Sequence, residues 1–149
     1  GLDFDAYIQN VPSSGVVDRL QIAHYPSGVG ELELHSDPYE NQKMAISGIM
    51  SKKGLHFQTG GAYILNKDKQ RVDVEPYFDI GDVYLVYPTV FHGVETIDVD
   101  MEVDWAVPRG RWFMGLYSNA SDEYKRRHTC YGVEDAMKQG ALADVRHKS

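Results

Sequence analysis

The sequence contains a single cysteine, Cys130, which excludes an internal disulfide and a zinc site built from cysteines. A reducing, cytoplasmic compartment is therefore the expectation. The sequence also lacks any apolar run near the roughly 20 residues that a membrane-spanning helix needs, and no signal-peptide pattern opens it. We expect no membrane partner. The chain begins at Gly1 rather than Met, which leaves an upstream segment open.

Basic residues are scarce, since 15 Lys and Arg stand against 22 Asp and Glu and give a formal net charge of −7. A nucleic-acid partner would need a basic face, so this balance argues against one. A small neutral or cationic molecule is easier to accommodate, and the oligomeric state stays open. With 149 residues, of which 42% are hydrophobic and 25% charged, the sequence fits one globular domain over residues 1–149.

Helical periodicity is missing until late in the chain. Short apolar or alternating runs separated by turn residues dominate instead, which is typical of a β-sandwich or barrel. Strands are predicted at Val16–Tyr25, Glu31–His35, Lys43–Met50, Gly60–Leu65, Asp82–Tyr87, Gly93–Val99 and Arg111–Tyr117. Helices are expected only at Asp122–Arg127, where Ser121 can act as the N-cap, and at Val133–Val145.

Two potential metal ligands lie two residues apart at the end of the second predicted strand. His35 and Asp37 would project from one face, because alternate residues of a strand share a face. His92, which follows the strand Asp82–Tyr87, is the candidate for a third ligand. Together they would form the two-histidine, one-carboxylate triad that holds non-haem Fe(II). Alone, His-x-Asp is common by chance, and the alternative is a pair of solvated strand residues.

The motifs around this pair resemble the prolyl-hydroxylase-like branch of the Fe(II)/2-oxoglutarate-dependent dioxygenases. LQIAHYPSGVGELELHSDPY at 20–39 is similar to the family's Tyr-Pro strand end, Gly-rich turn and His-x-Asp strand. TGGAYI at 59–64 resembles its Gly-Gly strand, and GDVYLVYPTVFHGVETI at 81–97 resembles the segment that brings in the distal histidine. GRWFMGLY at 110–117 resembles the strand that carries the basic residue for 2-oxoglutarate.

The resemblance implies a mainly β fold, a double-stranded β-helix or jelly roll with flanking C-terminal helices. It also implies Fe(II) ligated by His35, Asp37 and His92. Arg111 would bind the distal carboxylate of 2-oxoglutarate with its planar fork, assisted by the Tyr25 hydroxyl. Arg109 is a competitor, because the connection from His92 to Arg111 is longer than is usual in the family.

The implied activity is that of an oxygenase that uses Fe(II), 2-oxoglutarate and O2. It would hydroxylate an unactivated C–H bond of a small metabolite, amino acid or natural-product intermediate, with release of succinate and CO2. Asp37 disfavours the halogenase variant of this chemistry, which lacks that carboxylate. The alternatives are a peptidyl-prolyl hydroxylase, a cupin-like metalloprotein that does not use 2-oxoglutarate, and a non-catalytic β-sandwich binding module.

Other polar residues are expected to have mainly structural or surface roles. Gln58 and Tyr63 flank the Gly-Gly strand, where they are candidates for the pocket lining or for packing at its rim. Four acidic residues alternate along the connection before the last strand and are predicted to form a solvated edge: Asp98, Asp100, Glu102 and Asp104.

Overall fold

The computed structural model describes residues 16–37, 39, 43–120 and 131–132. Both predicted C-terminal helices, Asp122–Arg127 and Val133–Val145, lie outside these residues. Within the described part the chain is mainly β, and the helical content is one short 3-10 turn, Glu75–Tyr77. No helix among these residues has the length and apolar character needed to cross a membrane.

Nine strands are present among the described residues. They are β1 (Val16–Pro26), β2 (Leu32–Ser36), β3 (Ala45–Ile49), β4 (Gly61–Leu65), β5 (Arg71–Asp73), β6 (Val83–Val86), β7 (His92–Glu95), β8 (Gly110–Ala120) and β9 (Tyr131–Gly132). Each of the seven predicted strands overlaps one of these, whereas β5 and β9 were not predicted. Both are short, and neither carries the apolar alternation on which strand prediction depends.

The strands form two antiparallel sheets. One has four strands in the order β1-β8-β3-β6, and the other has five in the order β5-β4-β7-β2-β9. The chain changes sheet at nearly every connection, so neighbours in sequence generally lie in different sheets. The prediction of a mainly β, sandwich-like architecture is confirmed at this level.

The longest pairing joins β1 to β8 along their whole length, from Val16 opposite Ala120 to Pro26 opposite Gly110. Tyr25 lies opposite Arg111 in this register. Gly110 has a φ of 134°, and a Cβ there would come within 2.2 Å of the Tyr25 carbonyl oxygen. Glycine is therefore required where β8 begins, directly before the arginine.

The four-stranded sheet is apolar on both faces. Its outer face carries exposed side chains that the register places side by side: Leu20 opposite Leu116, Ile22 opposite Met114, and Val83 and Leu85 on β6. Its inner face carries Ala45, Phe113 and other residues that contact the interior. This is why its strands read as nearly continuous hydrophobic runs rather than as a clean apolar–polar alternation.

Asp98 departs from the prediction of a solvated acidic edge. Asp100, Glu102 and Asp104 are exposed as expected, but Asp98 is only 5% exposed and has a left-handed φ of 47°. Its carboxylate accepts hydrogen bonds from Ser27 Oγ at 2.6 Å and from the backbone amides of Gln58 and Thr59 at 2.6 and 2.9 Å. The prediction was wrong because side chains alternate between the two faces only where the chain is extended, and the chain turns at Asp98.

These contacts give Asp98 a structural role. It joins the turn after β1 to the loop before β4, next to the buried cluster of Phe57, Val94 and Ile97. Burial raises the pKa of the Asp98 carboxyl, but the hydrogen bonds from Ser27, Thr59 and Gln58 outweigh it, so the pKa lies below its ordinary value.

Asp98→Ala should therefore lower the free energy of unfolding by about 3 kcal/mol, because it removes an ionised acceptor and leaves buried donors without a partner. Urea denaturation at neutral pH measures this. The difference from the parent should begin to shrink as the pH falls below about 4, where aspartate in the unfolded chain becomes protonated, and should be lost as the pH falls further through the lowered pKa of the folded carboxyl. Asp100→Ala, at an exposed neighbour, serves as the control. Equal losses in the two variants would contradict the structural role of Asp98.

Candidate metal centre

A bulge in β2 aims His35 at the interior. In the pairing with β7, Leu32 lies opposite Val94 and His35 opposite His92, so β2 holds one more residue than its partner between these two points. Strict alternation would put Leu32 and His35 on opposite faces, yet both line the same cavity. The extra residue turns the side chains of Leu32 and His35 to the same face of the sheet. β-Bulges next to functional sites often have this effect.

Strand pairing then brings the two histidines together. Because His35 and His92 lie directly opposite each other, their ring centroids are 4.4 Å apart. Asp37 follows β2, and its backbone amide donates to the Pro88 carbonyl oxygen at 2.8 Å, which ties it to the turn before β7. Its carboxylate oxygens lie 3.8 Å from His35 Nε2 and 3.7 Å from His92 Nε2.

This spacing suits a single ion. One ligand atom from each of His35, Asp37 and His92 lies within 4.8 Å of the other two. Ligand atoms at about 2.1 Å from one ion are at most about 4.2 Å apart, and both histidine–aspartate distances fall inside that limit. The structure thus brings together the three residues predicted as a metal site, and no other such group occurs among the described residues.

Backbone carbonyls orient both imidazoles. His35 Nδ1 lies 2.7 Å from the carbonyl oxygen of Glu33, and His92 Nδ1 lies 2.8 Å from that of Val90. A carbonyl oxygen can only accept, so Nδ1 carries the proton in each ring. Nε2 is then left with its lone pair toward the Asp37 carboxylate. This is the arrangement that metal-binding histidines commonly adopt.

The charge environment also favours a cation. Burial lowers the pKa of His92, and the neighbouring His35 lowers it further, so the ring is held in the neutral form that a metal ligand requires. Burial raises the pKa of Asp37, although the two histidines oppose this. The partly buried Asp37 carboxylate has no Lys or Arg ion-pair partner shown among the described residues, and a divalent cation would supply the compensating charge.

The triad opens into a cavity of about 560 Å³ that residues from both sheets line. This volume is in the range of small-molecule sites, about 300–1,000 Å³. The lining is largely apolar and aromatic and includes Leu32, Ala62, Tyr63, Ile64, Tyr84, Val94, Phe113 and Tyr117.

Arg111 and Tyr25 line the same cavity from the four-stranded sheet. Arg111 is 2% exposed, and its guanidinium carbon lies 5.9 Å from the Tyr25 ring centroid and 5.4 Å from that of Phe113. Its Nη2 is buried and has no hydrogen-bond partner in the part of the chain that the structure describes. An unpaired buried donor is costly, so its presence in a cavity points to a ligand that accepts hydrogen bonds.

Arg109 is placed differently. It is exposed and lies outside the large cavity, beside Met101, with Nη1 3.9 Å from the Met101 sulfur. Its carbonyl oxygen accepts from the Ser27 amide and lies 3.0 Å from His24 Nε2. Of the two arginines considered from the sequence, the structure brings only Arg111 to the triad's cavity.

Two residues that bear on the site were not identified from the sequence: Tyr117 in the cavity lining and Glu75, the partner of Arg111. Tyr117 could have been, since Arg111, Phe113 and Tyr117 are spaced by even numbers on one strand and therefore share its inner face. Burial raises the pKa of the Tyr117 hydroxyl, which lies 3.4 Å from Ser47 Oγ. Glu75, which pairs with Arg111, offered no signal, because an acidic residue before Pro76 in a polar stretch indicates an exposed turn.

The two candidates that flank the Gly-Gly strand are placed differently. Tyr63 lines the cavity, as considered from the sequence, whereas Gln58 is exposed and donates a hydrogen bond from its backbone amide to Asp98.

A comparison with known protein families and with curated proteins found no match to this chain. The chemistry of the site is therefore inferred from its own geometry.

Adding Mn(II) or Fe(II) should raise the melting temperature of the protein. At a metal concentration 100 times the Kd, the stabilisation is about 2.7 kcal/mol, which corresponds to a shift of about 5–10 °C for a chain of this size. His35→Ala and Asp37→Ala should each abolish the shift, because each removes one of three ligands. His56→Ala, at an exposed histidine away from the cavity, should retain it. A shift that survives in Asp37→Ala would contradict the site.

Proposed function

We propose that this chain is an Fe(II)- and 2-oxoglutarate-dependent oxygenase that hydroxylates a C–H bond of a small organic substrate. One observation carries the proposal: buried Arg111, whose Nη2 has no hydrogen-bond partner among the described residues, lines the same cavity as the His35–Asp37–His92 triad. A 2-oxo diacid needs two anchors in one pocket, a metal for its 2-oxo acid end and a cation for its distal carboxylate.

The residues present fit this pair of ligands. Two neutral imidazoles and one carboxylate are a donor set suited to Fe(II), and three protein ligands leave coordination positions open for a 2-oxo acid and O2. When bound, the iron would supply the oxidising chemistry that couples decarboxylation of 2-oxoglutarate to oxygen insertion. The role of the three protein ligands is to hold it with open positions facing the cavity.

Arg111 and Tyr25 would bind the distal carboxylate of 2-oxoglutarate. The guanidinium offers a planar set of donors and keeps its charge when buried. Burial raises the pKa of Tyr25 to about 12, although Arg111 lowers it, so the phenol stays protonated and can donate a hydrogen bond. The two side chains lie opposite each other on β1 and β8, so both reach one carboxylate from one sheet.

The rest of the cavity favours a small substrate with apolar or aromatic parts. Its apolar lining excludes water, which protects the reaction from side reactions. Nothing in this lining resembles a basic groove, so nucleic acid is not proposed as a substrate. A small metabolite or amino acid is the first candidate, and peptidyl proline is the second.

The strand order supports the proposed jelly roll. β1, β8, β3 and β6 form one sheet, and β2, β7, β4 and β5 form the other with β9 at the edge. A chain that alternates between two facing sheets in this way is consistent with the eight strands and two Greek keys of a jelly roll. We propose that fold here as part of the same hypothesis.

One observation favours a second candidate. Arg111 Nε is already paired with Glu75, so a cupin-like metalloprotein in which the arginine is purely structural would have the same contact. In that case the metal site would operate without 2-oxoglutarate, and changes at Arg111 would leave turnover intact.

The test is succinate release with Fe(II), 2-oxoglutarate, O2 and a panel of candidate substrates. Arg111→Lys keeps the charge but loses the fork, so the KM for 2-oxoglutarate should rise by about tenfold or more, equivalent to about 1.4 kcal/mol. Arg109→Ala should leave it near the parent value. Activity in Asp37→Ala equal to that of the parent would overturn the proposal, and a raised KM in Arg109→Ala alone would overturn the assignment of Arg111.

A further inference from the structure

Glu75 carries a buried carboxylate that connects the two sheets. Its Oε2 accepts a hydrogen bond from Arg111 Nε on β8 at 2.7 Å and another from the backbone amide of Ala62 on β4 at 2.8 Å. Both charged side chains are 2% exposed. Because β4 and β8 belong to different sheets, this one oxygen ties the arginine of one sheet to the backbone of the other.

The local chain is shaped around this carboxylate. Glu75 opens the one-turn 3-10 helix, and Pro76 behind it restricts the backbone. Gly61 provides the space: a Cβ at that position would lie 2.6 Å from Glu75 Cγ and 2.8 Å from its Cβ. The Gly-Gly segment before β4 thus leaves room for Glu75 to reach the cavity arginine.

Glu75 occupies only part of the guanidinium. Arginine has five N–H donors, and the carboxylate binds the one on Nε. Nη2 has no partner among the described residues. A long side chain without an anchor samples many rotamers, and this freedom is lost when a ligand fixes the side chain. Holding Nε fixes the plane of the fork before any ligand arrives, which is how pre-organisation raises affinity.

We propose that Glu75 is a positioning residue that presents Arg111 to the distal carboxylate of the 2-oxo diacid, an inference that rests on the proposed function. Its role depends on the length of its side chain, which must contact Ala62 N–H and Arg111 Nε at once. Glu75 does not touch the ligand itself.

Two substitutions separate the effect of the length of the Glu75 side chain from the effect of its charge. Glu75→Asp keeps the charge and is one methylene shorter, so it cannot contact both partners. Glu75→Gln keeps the length and an acceptor oxygen but loses the charge. Glu75→Ala is less informative, because it leaves Arg111 buried and unpaired. Glu95→Gln is the matched control, since Glu95 pairs with Arg71 through two hydrogen bonds on an exposed surface.

The measurement is calorimetric titration of Mn(II)-loaded protein with 2-oxoglutarate and, separately, with pyruvate. Pyruvate has the same 2-oxo acid end but lacks the distal carboxylate, so its affinity reports the metal site alone. In Glu75→Asp the preference for 2-oxoglutarate over pyruvate should fall by about tenfold, equivalent to about 1.4 kcal/mol, while pyruvate and Mn(II) affinities stay unchanged. Glu75→Gln and Glu95→Gln should stay within about threefold of the parent preference.

A general loss of structure would weaken both ligands together and would overturn a positioning role. So would an unchanged preference in Glu75→Asp, or a loss in Glu75→Gln as large as that in Glu75→Asp. If the parent itself shows no preference for 2-oxoglutarate over pyruvate, the proposed function fails and this inference fails with it. If the parent shows the preference and Glu75→Asp keeps it, only the role of Glu75 fails.

Discussion

A buried ion pair between the sheets, Glu75 with Arg111, is the constraint on which the interior of this molecule depends. Two opposite charges removed from water are stable together only when geometry and additional hydrogen bonds compensate for the lost hydration. Here the Ala62 amide supplies one such bond, and the glycine at position 61 makes the room. The pair therefore connects the two sheets, and its arginine is a charged group in the lining of the cavity.

The metal side of the cavity rests on a different kind of constraint. The positions of the two histidines follow from a direct cross-strand register, a bulge in β2 and a carbonyl acceptor for each Nδ1. These are backbone features, so the ligand geometry is built into the sheet. Each sheet thus fixes one polar group of the cavity. The four-stranded sheet holds Arg111 through an ion pair, and the five-stranded sheet holds the histidines through its backbone geometry.

The sequence was informative where local periodicity governs structure. Alternation placed His35 and Asp37 together, and the apolar runs located seven strands. The local sequence also favours Arg111 over Arg109, because Arg111 follows Gly110 and opens an aromatic, apolar strand, whereas Arg109 follows Pro108 in a predicted turn. Long-range pairing is not encoded in such patterns: His92 was a candidate from its place after the predicted strand Asp82–Tyr87 and from the family resemblance, but its register directly opposite His35 was not predicted.

The failures have physical reasons too. Asp98 was predicted to be solvated because it belongs to an alternating acidic series, yet a left-handed turn directs its carboxylate inward toward backbone amides. Glu75 was missed because its burial depends on a partner 36 residues away. β5 is too short and too exposed to show a pattern. In each case a tertiary contact overrides what the neighbouring residues indicate.

The placement of the two anchors on opposite sheets has one more consequence. Facing sheets pack about 10 Å apart, a spacing set by side-chain volume along their whole length and not adjustable at one point. Under the proposed function, in which the triad and Arg111 bind the two ends of a diacid, this spacing sets the length of the ligand that fits. A diacid one carbon shorter would leave one carboxylate unbound, and one carbon longer would have to buckle. The preference for one length of diacid would then depend on how the two sheets pack as a whole. A substitution that changes the core volume far from the triad and from Arg111 would alter this preference.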